Sequence, residues 1–180
     1  MRTLNTTRCI LEPLCADHAE TMFEVLSDPA IYEFENEAPL SAAWLRERYQ
    51  KLERRSSPDG GEKWLNWVLR LPDGALAGYV QATVLPRGLA YVAYELNSRY
   101  WRQGLGSSAV AAMIEELHQG YGVRSVVAVL KAANYRSLAL LRSLGFSPCG
   151  ADEAVSFGPE PDEVVMRLPR RPAGQCEERV

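Results

Sequence analysis

The residues best suited to chemistry in this 180-residue chain form a glycine turn, Trp101-Arg102-Gln103-Gly104-Leu105-Gly106-Ser107, that opens a helical pattern. Glycine lets a backbone approach a ligand with no Cβ in the way. The first N–H groups of a helix have no partners inside it, and together with the macrodipole they make an anion site. Ser107 and Ser108 add hydroxyl donors. The arrangement suits a phosphate-bearing ligand, although a glycine before a helix also has a purely structural use. A mononucleotide P-loop needs G-x-x-x-x-G-K-[ST], and the chain has no such run. Gly104 to Ala109 does match the dinucleotide pattern G-x-G-x-x-A. That reading also wants a tight strand-to-helix turn and an acidic ribose partner about twenty residues on. Here a loop precedes the glycines, and no Asp or Glu occurs between Glu116 and Asp152. A nicotinamide cofactor is disfavoured.

Other reactive side chains are sparse. The two histidines, His18 and His118, and the four cysteines, Cys9, Cys15, Cys149 and Cys176, are scattered. They suggest neither a zinc site nor a disulfide framework, so no metal is expected. Glu33, Glu35 and Glu37 form an acidic loop that could attract a cationic amine or could be a solvated face. A formal net charge of -3 gives no sign of a nucleic-acid partner. The N-terminus has no apolar signal core and no apolar run long enough to span a bilayer, so no membrane partner and a cytoplasmic location are expected.

The 47% hydrophobic content fits one domain with a real core. Thr7 to Leu14 reads as a short strand stopped at Pro13. Asp17 can cap a helix carrying Met22, Val25 and Leu26, and Asp28-Pro29 ends it. Ser41 opens a second helix. Strands follow over Trp64–Leu71, Ala75–Leu85 and Leu89–Leu96, an antiparallel meander with Pro72-Asp73-Gly74 at one turn. Gly104 to Gln119 is helical, Val123 to Leu130 a buried strand, and Asn134 to Leu144 a further helix closed by Gly145. Strand candidates around Ala154–Phe157 and Val164–Leu168 complete a single domain over 7–168, with a loose tail over 169–180. The fold class is α/β, of α+β type. Edge strands near the C-terminus could pair across a homodimer.

Two separated segments carry a resemblance. Tyr94 to Ala109 resembles the acetyl-CoA motif Q/R-x-x-G-x-G/A of the GNAT (GCN5-related) N-acetyltransferase superfamily. Trp101 stands where Gln or Arg is usual, which is similar to the RimJ/RimL-like ribosomal-protein N-terminal acetyltransferase branch. Asn134 to Phe146 resembles the family's N-x-x-S/A-x-x-x-x-x-x-L-G-F segment, and Asp28-Pro29-Ala30-Ile31 that branch's D-P-x-[VI]. The resemblance implies the GNAT fold: a mixed, mostly antiparallel sheet of about seven strands flanked by about four helices. It implies acetyl-CoA as cosubstrate and acetyl transfer to a primary amine, either a small molecule or a peptide N-terminus.

By the same resemblance Arg102, Gln103, Gly104, Leu105, Gly106 and Ser107 hold the pyrophosphate, and Leu96 and Asn97 the pantetheine. Asn134 contacts the cofactor or serves simply as a helix cap. Glu95 is the candidate base unless strand alternation turns it away. The family's usual general-acid Tyr falls at Leu141. Ser137 is the alternative acid, and otherwise a small first-turn residue. The missing Tyr also motivates a rival reading, a non-catalytic acyl-CoA-binding or regulatory module on the same fold. Trp44, Trp64 and Trp67 could line a pocket or belong to the core.

Overall fold

The computed structural model describes residues 1–168. The tail expected over 169–180 lies outside them. One eight-stranded sheet runs β1(Leu4–Asn5), β2(Ile10–Pro13), β3(Lys63–Arg70), β4(Leu76–Leu85), β5(Leu89–Leu96), β6(Ser125–Lys131), β8(Glu163–Leu168) and β7(Ser147–Pro148), in that spatial order. Every pairing is antiparallel except β5 with β6. The helices are α1(Ala19–Leu26), α2(Ala42–Leu52), α3(Leu105–Tyr121), α4(Tyr135–Ser143) and α5(Ala151–Val155). Among the described residues no helix is long and apolar enough to cross a membrane.

Strand alternation sorts the side chains into two layers. Leu65, Trp67 and Leu69 of β3, Val80, Ala82 and Val84 of β4, and Ala90, Val92 and Leu96 of β5 meet Ala109, Val110, Met113 and Leu117 of α3. Leu141 of α4 joins this layer. On the opposite face Val68, Leu76 and Tyr79 meet Ala19, Met22 and Leu26 of α1 and Leu45 and Tyr49 of α2. Trp67 is therefore core, with its indole N–H donated to Arg2 O at 2.9 Å.

The caps follow the side-chain chemistry. Ser41 accepts from Trp44 N–H at the start of α2, and Asn134 accepts from Ser137 N–H at the start of α4. Asp17, expected to cap α1, instead lies inside a short 3-10 turn, Ala16–His18, and α1 begins one residue later. The strand expected around Ala154–Phe157 is a helix, α5. Gly150 leads into it, and Asp152 and Glu153 occupy its first turn, where carboxylates face the positive helix end. That preference outweighs the short apolar alternation. The first strand includes Pro13, whose missing N–H does not end it, and β1 precedes it unforeseen.

β5 and β6 are the pair that positions the site. They are in register only over Leu89–Tyr91 with Ser125–Val127. Beyond Tyr91 the strands part, while β5 stays paired to β4 through Leu96 and β6 to β8 through Lys131. The sheet thus has a wedge-shaped gap at its centre.

Candidate active site

Backbone direction makes the gap chemically useful. Asn97 N–H donates to Ala77 O of β4 at 3.0 Å. Backbone groups alternate sides along a strand, so those of Tyr94 and Leu96 face the gap instead. The Leu96 carbonyl is already used: Trp101 donates its indole N–H to it at 2.8 Å. This explains an indole at position 101, since it pins the glycine turn to the end of β5. Asn97 is engaged elsewhere, its amide donating to Val25 O at 3.0 Å and its oxygen accepting from Arg99 N–H.

The glycine turn lies at the mouth of the gap. Arg102 and Gly104 both hold positive φ, 60° and 73°. The first N–H of α3 with an intrahelical acceptor is that of Ser108, to Gly104 O at 3.1 Å. Those of Leu105, Gly106 and Ser107 have none among the described residues, and they follow directly on the exposed residues Arg102, Gln103 and Gly104. Arg8 approaches from the β1–β2 turn: a Cβ at Gly104 would lie 3.2 Å from its Nε. Arg8 is a cation beside an anion site that sequence spacing did not reveal. The Gln103 amide donates to Arg99 O.

A cavity of about 420 Å³ passes from this gap to the α1–α2 face of the sheet. Val92, Tyr94, Ala128, Leu130, Ser137 and Leu141 line its gap end. Glu95 lines the other end, opposite Tyr79 in the β4–β5 register. Asn36 donates to Glu95 Oε1 at 3.1 Å. Burial raises the Glu95 pKa from its ordinary value, against the lowering pull of Tyr79, Asn36 and Arg48. Gly78 lets β4 come this close: it holds φ 151°, and a Cβ there would run into the Glu95 carbonyl.

Tyr94 crosses the gap, its hydroxyl donating to Ser137 O at 3.3 Å, and burial pushes its pKa up to about 12. The Ser137 hydroxyl has no hydrogen-bond partner among the described residues, whereas Leu141 is 1% exposed. Asn134 is engaged at both ends of its side chain: its oxygen caps α4 and its amide donates to Glu35 at 3.4 Å. Burial raises Glu35, partly offset by that bond.

The acidic loop is thus a strap. Glu33 pairs with Arg136, whose guanidinium also lies over the rings of Trp101 (4.4 Å), Phe34 (5.0 Å) and Tyr135 (5.1 Å). Of the tryptophans, Trp44 lines the cavity mouth, while Trp64 donates its indole N–H to Glu62.

The glycine turn was named from its spacing, and Glu95 and Ser137 from the family resemblance; the structure places Glu95 and Ser137 on the cavity wall. Sequence reading missed Tyr49, Tyr79, Tyr94, Asn66 and Gln81. Their signal was polar or phenolic residues interrupting apolar strand and helix stripes, and register was needed to bring them together.

Comparisons with known proteins bear on the family and the fold. The model of the acetyltransferase (GNAT) domain matches residues 8–147. RimL, the ribosomal L7/L12 α-N-protein acetyltransferase, solved with coenzyme A, superposes at a TM-score of 0.77 and 15% identity over 92% of this chain and 97% of its own. The ribosomal-protein-S5-alanine acetyltransferase of Vibrio fischeri gives 0.76 and 16%, over 97% and 100%. A GNAT acetyltransferase from Bacillus anthracis gives 0.73 and 16%, over 93% and 98%. At such identities these likenesses are of fold. Among curated proteins no sequence matches. The family match covers most of the chain, and on it rests the conclusion that this protein belongs to the GNAT acetyltransferases and is an N-acetyltransferase.

Proposed function

We propose that the chain transfers an acetyl group from acetyl-CoA to a primary amine, with the cosubstrate in the β5–β6 gap and the amine entering from the α1–α2 face. The observation that carries this is Glu95, a carboxylate with a raised pKa on the wall of a cavity continuous with the gap. The residues present fit the cosubstrate. The free N–H groups of Leu105, Gly106 and Ser107, with Arg8 and Arg102 beside them, suit a pyrophosphate. The gap-facing N–H and C=O of Tyr94 and the N–H of Leu96 offer partners to the amides of an extended pantetheine arm.

Acetyl-CoA supplies an activated acyl carbon and a thiol leaving group. An amine reaches the site mostly as ammonium, its ordinary pKa being about 10. Glu95 accepts its proton, directly or through water, and thereby frees the nitrogen lone pair to attack the carbonyl carbon. A C–N bond forms, the C–S bond breaks, and the second proton that the nitrogen sheds as it becomes an amide balances the one the departing thiolate takes up. Ser137 and Tyr94 present hydroxyls at the gap end, where the departing sulfur takes up its negative charge. Ser137 can pass a proton from solvent, and Tyr94 can donate a hydrogen bond by turning its O–H from the Ser137 carbonyl to the sulfur. The thioester's carbonyl oxygen needs a donor as it becomes an oxyanion, and the gap-facing N–H groups of β5 are the candidates.

Leu141 favours a second reading, an acyl-CoA-binding module without turnover, because the usual phenol is absent there. The two readings share the cofactor and differ in Glu95. Acetyl transfer by Glu95→Gln against the wild type separates them, and the cofactor site they share is tested by acetyl-CoA binding, measured by calorimetry for the wild type and Ser107→Asp. An Asp in the first turn suits the helix dipole, so the fold should hold. It places a negative charge where the pyrophosphate would lie, and affinity should fall by more than about tenfold. Equal affinity would remove the glycine turn from the cofactor site.

A further inference from the structure

The α1–α2 end of the cavity holds polar groups with nothing to bond. Tyr49 is 3% exposed, and its hydroxyl has no hydrogen-bond partner. Burying such a group unpaired is costly, so its presence points to a ligand. Asn66, 6% exposed, and Gln81 face each other across β3 and β4 on the same wall. Neither side-chain amide is hydrogen-bonded among the described residues. One register step of two residues away on that face lie Tyr79 and Glu95.

The charges around the same space are arranged unusually. Glu95 lies on one wall, and Arg48, beside Trp44 at the mouth, is the one cationic side chain among the described lining residues. Arg48 is near enough to lower the Glu95 pKa, yet forms no ion pair with any described carboxylate. Of the acidic residues at the rim, Glu35 is bonded to Asn134, and only Glu37 stands free in the exposed loop. Opposite charges that face one small cavity without touching are complementary to a molecule carrying both.

We infer that this end is an acceptor subsite for a compact zwitterionic amine of the amino-acid class. Its ammonium meets Glu95, its carboxylate meets Arg48, and its remaining acceptors and donors pair with Tyr49, Asn66 and Gln81. The inference rests on the acetyltransferase reading above and adds the acceptor's second charge to it. The cavity must also admit the acetyl end of the cosubstrate, so at about 420 Å³ it suits an amino acid better than a long chain.

The test is steady-state acetylation, read as N-acetylated product. Each common L-amino acid is compared with its decarboxylated amine and with a tripeptide beginning in the same residue. For at least one set the free amino acid should exceed the amine in kcat/KM by at least about tenfold, since a site built for a charged group discriminates against its loss. Arg48→Gln should abolish that preference through KM. Tyr49→Phe should raise KM about three- to tenfold while leaving the ligand-free protein as stable or more so, because it removes an unpaired buried hydroxyl. A hydroxyl with only a structural role would instead cost stability and leave KM alone. Amines or tripeptides matching or outdoing the free amino acids would overturn the subsite, as would a preference that survives Arg48→Gln. Transfer to no amino acid, with acetyl-CoA still bound, also overturns it. Failure to bind acetyl-CoA at all would instead sink the acetyltransferase reading beneath it.

Discussion

Glu95 sits among groups that pull its proton affinity in both directions. Burial raises it, as does Glu35, while Tyr79, Asn36 and Arg48 lower it, and the net is upward. A base must be deprotonated to work, so kcat/KM should rise with pH through an acid limb centred above the ordinary carboxyl value. Glu95→Gln should erase that limb and lower kcat by about 10²–10⁴, while acetyl-CoA affinity holds. A retained limb would assign the base elsewhere. At the sulfur end the phenol of Tyr94, raised to about 12, is a weaker acid than an ordinary thiol. It can steady a thiolate with a hydrogen bond but gives up its proton poorly. Tyr94→Phe should therefore lower kcat by only about tenfold, with unchanged KM for the amine, and Ser137→Ala should act on the same step. If both variants match the wild type, solvent alone protonates the sulfur. Glu95 was visible as a candidate from its place beside the motif. Its orientation was not, because one residue of register decides which face it meets.

Elements hold these groups through a few close approaches. Gly78 lets β4 pass tight against the Glu95 carbonyl. Gly78→Ala combines a positive φ with a backbone clash and should cost at least about 2 kcal/mol of stability, read from the denaturation midpoint. It should lower kcat as well, because Glu95 is displaced. Asp28 explains the Asp-Pro pair that sequence reading could only match to a pattern. Burial alone would raise its pKa, but hydrogen bonds from Ser98 N–H at 2.7 Å and Ala30 N–H at 3.0 Å outweigh it and the net is lowered. A carboxylate depressed in the folded state stabilises above its unfolded pKa, and that stability is lost as pH falls through the folded value. Asp28→Ala should cost about 2 kcal/mol at neutral pH, and the gap to wild type should narrow on acidification. A constant gap would mean that its charge plays no part. The long elements were legible because their periodicity is strong. α5 was not, since five residues carry little period and the acidic first turn decided the matter.

Across the whole molecule, the anion site lies on a chain of net charge -3, so local cations must supply the attraction. Arg8, brought against Gly104 by the β1–β2 turn, should contribute: Arg8→Ala should weaken acetyl-CoA about tenfold at low salt and less at high salt, as screening grows. An effect independent of salt would mean that Arg8 acts only by packing. The strap from Glu33 to Asn36 binds α4, Trp101 and β5 together over the gap. Nothing in its sequence announced this, because Arg136 lies 103 residues from its partner. The order of elements and the glycine turn could be read along the chain. The gap, the cavity through the sheet and the unpaired groups lining it arise only when distant segments meet. What this cavity is proposed to do is join an acetyl donor to an amine. The most direct test of this is mass-spectrometric measurement of free CoA and N-acetylated amine in one reaction across a broad panel of primary amines. The prediction is that the two form in equal amounts, with both lost in Glu95→Gln. Saturable acetyl-CoA binding with no CoA released in the presence of any acceptor would contradict it.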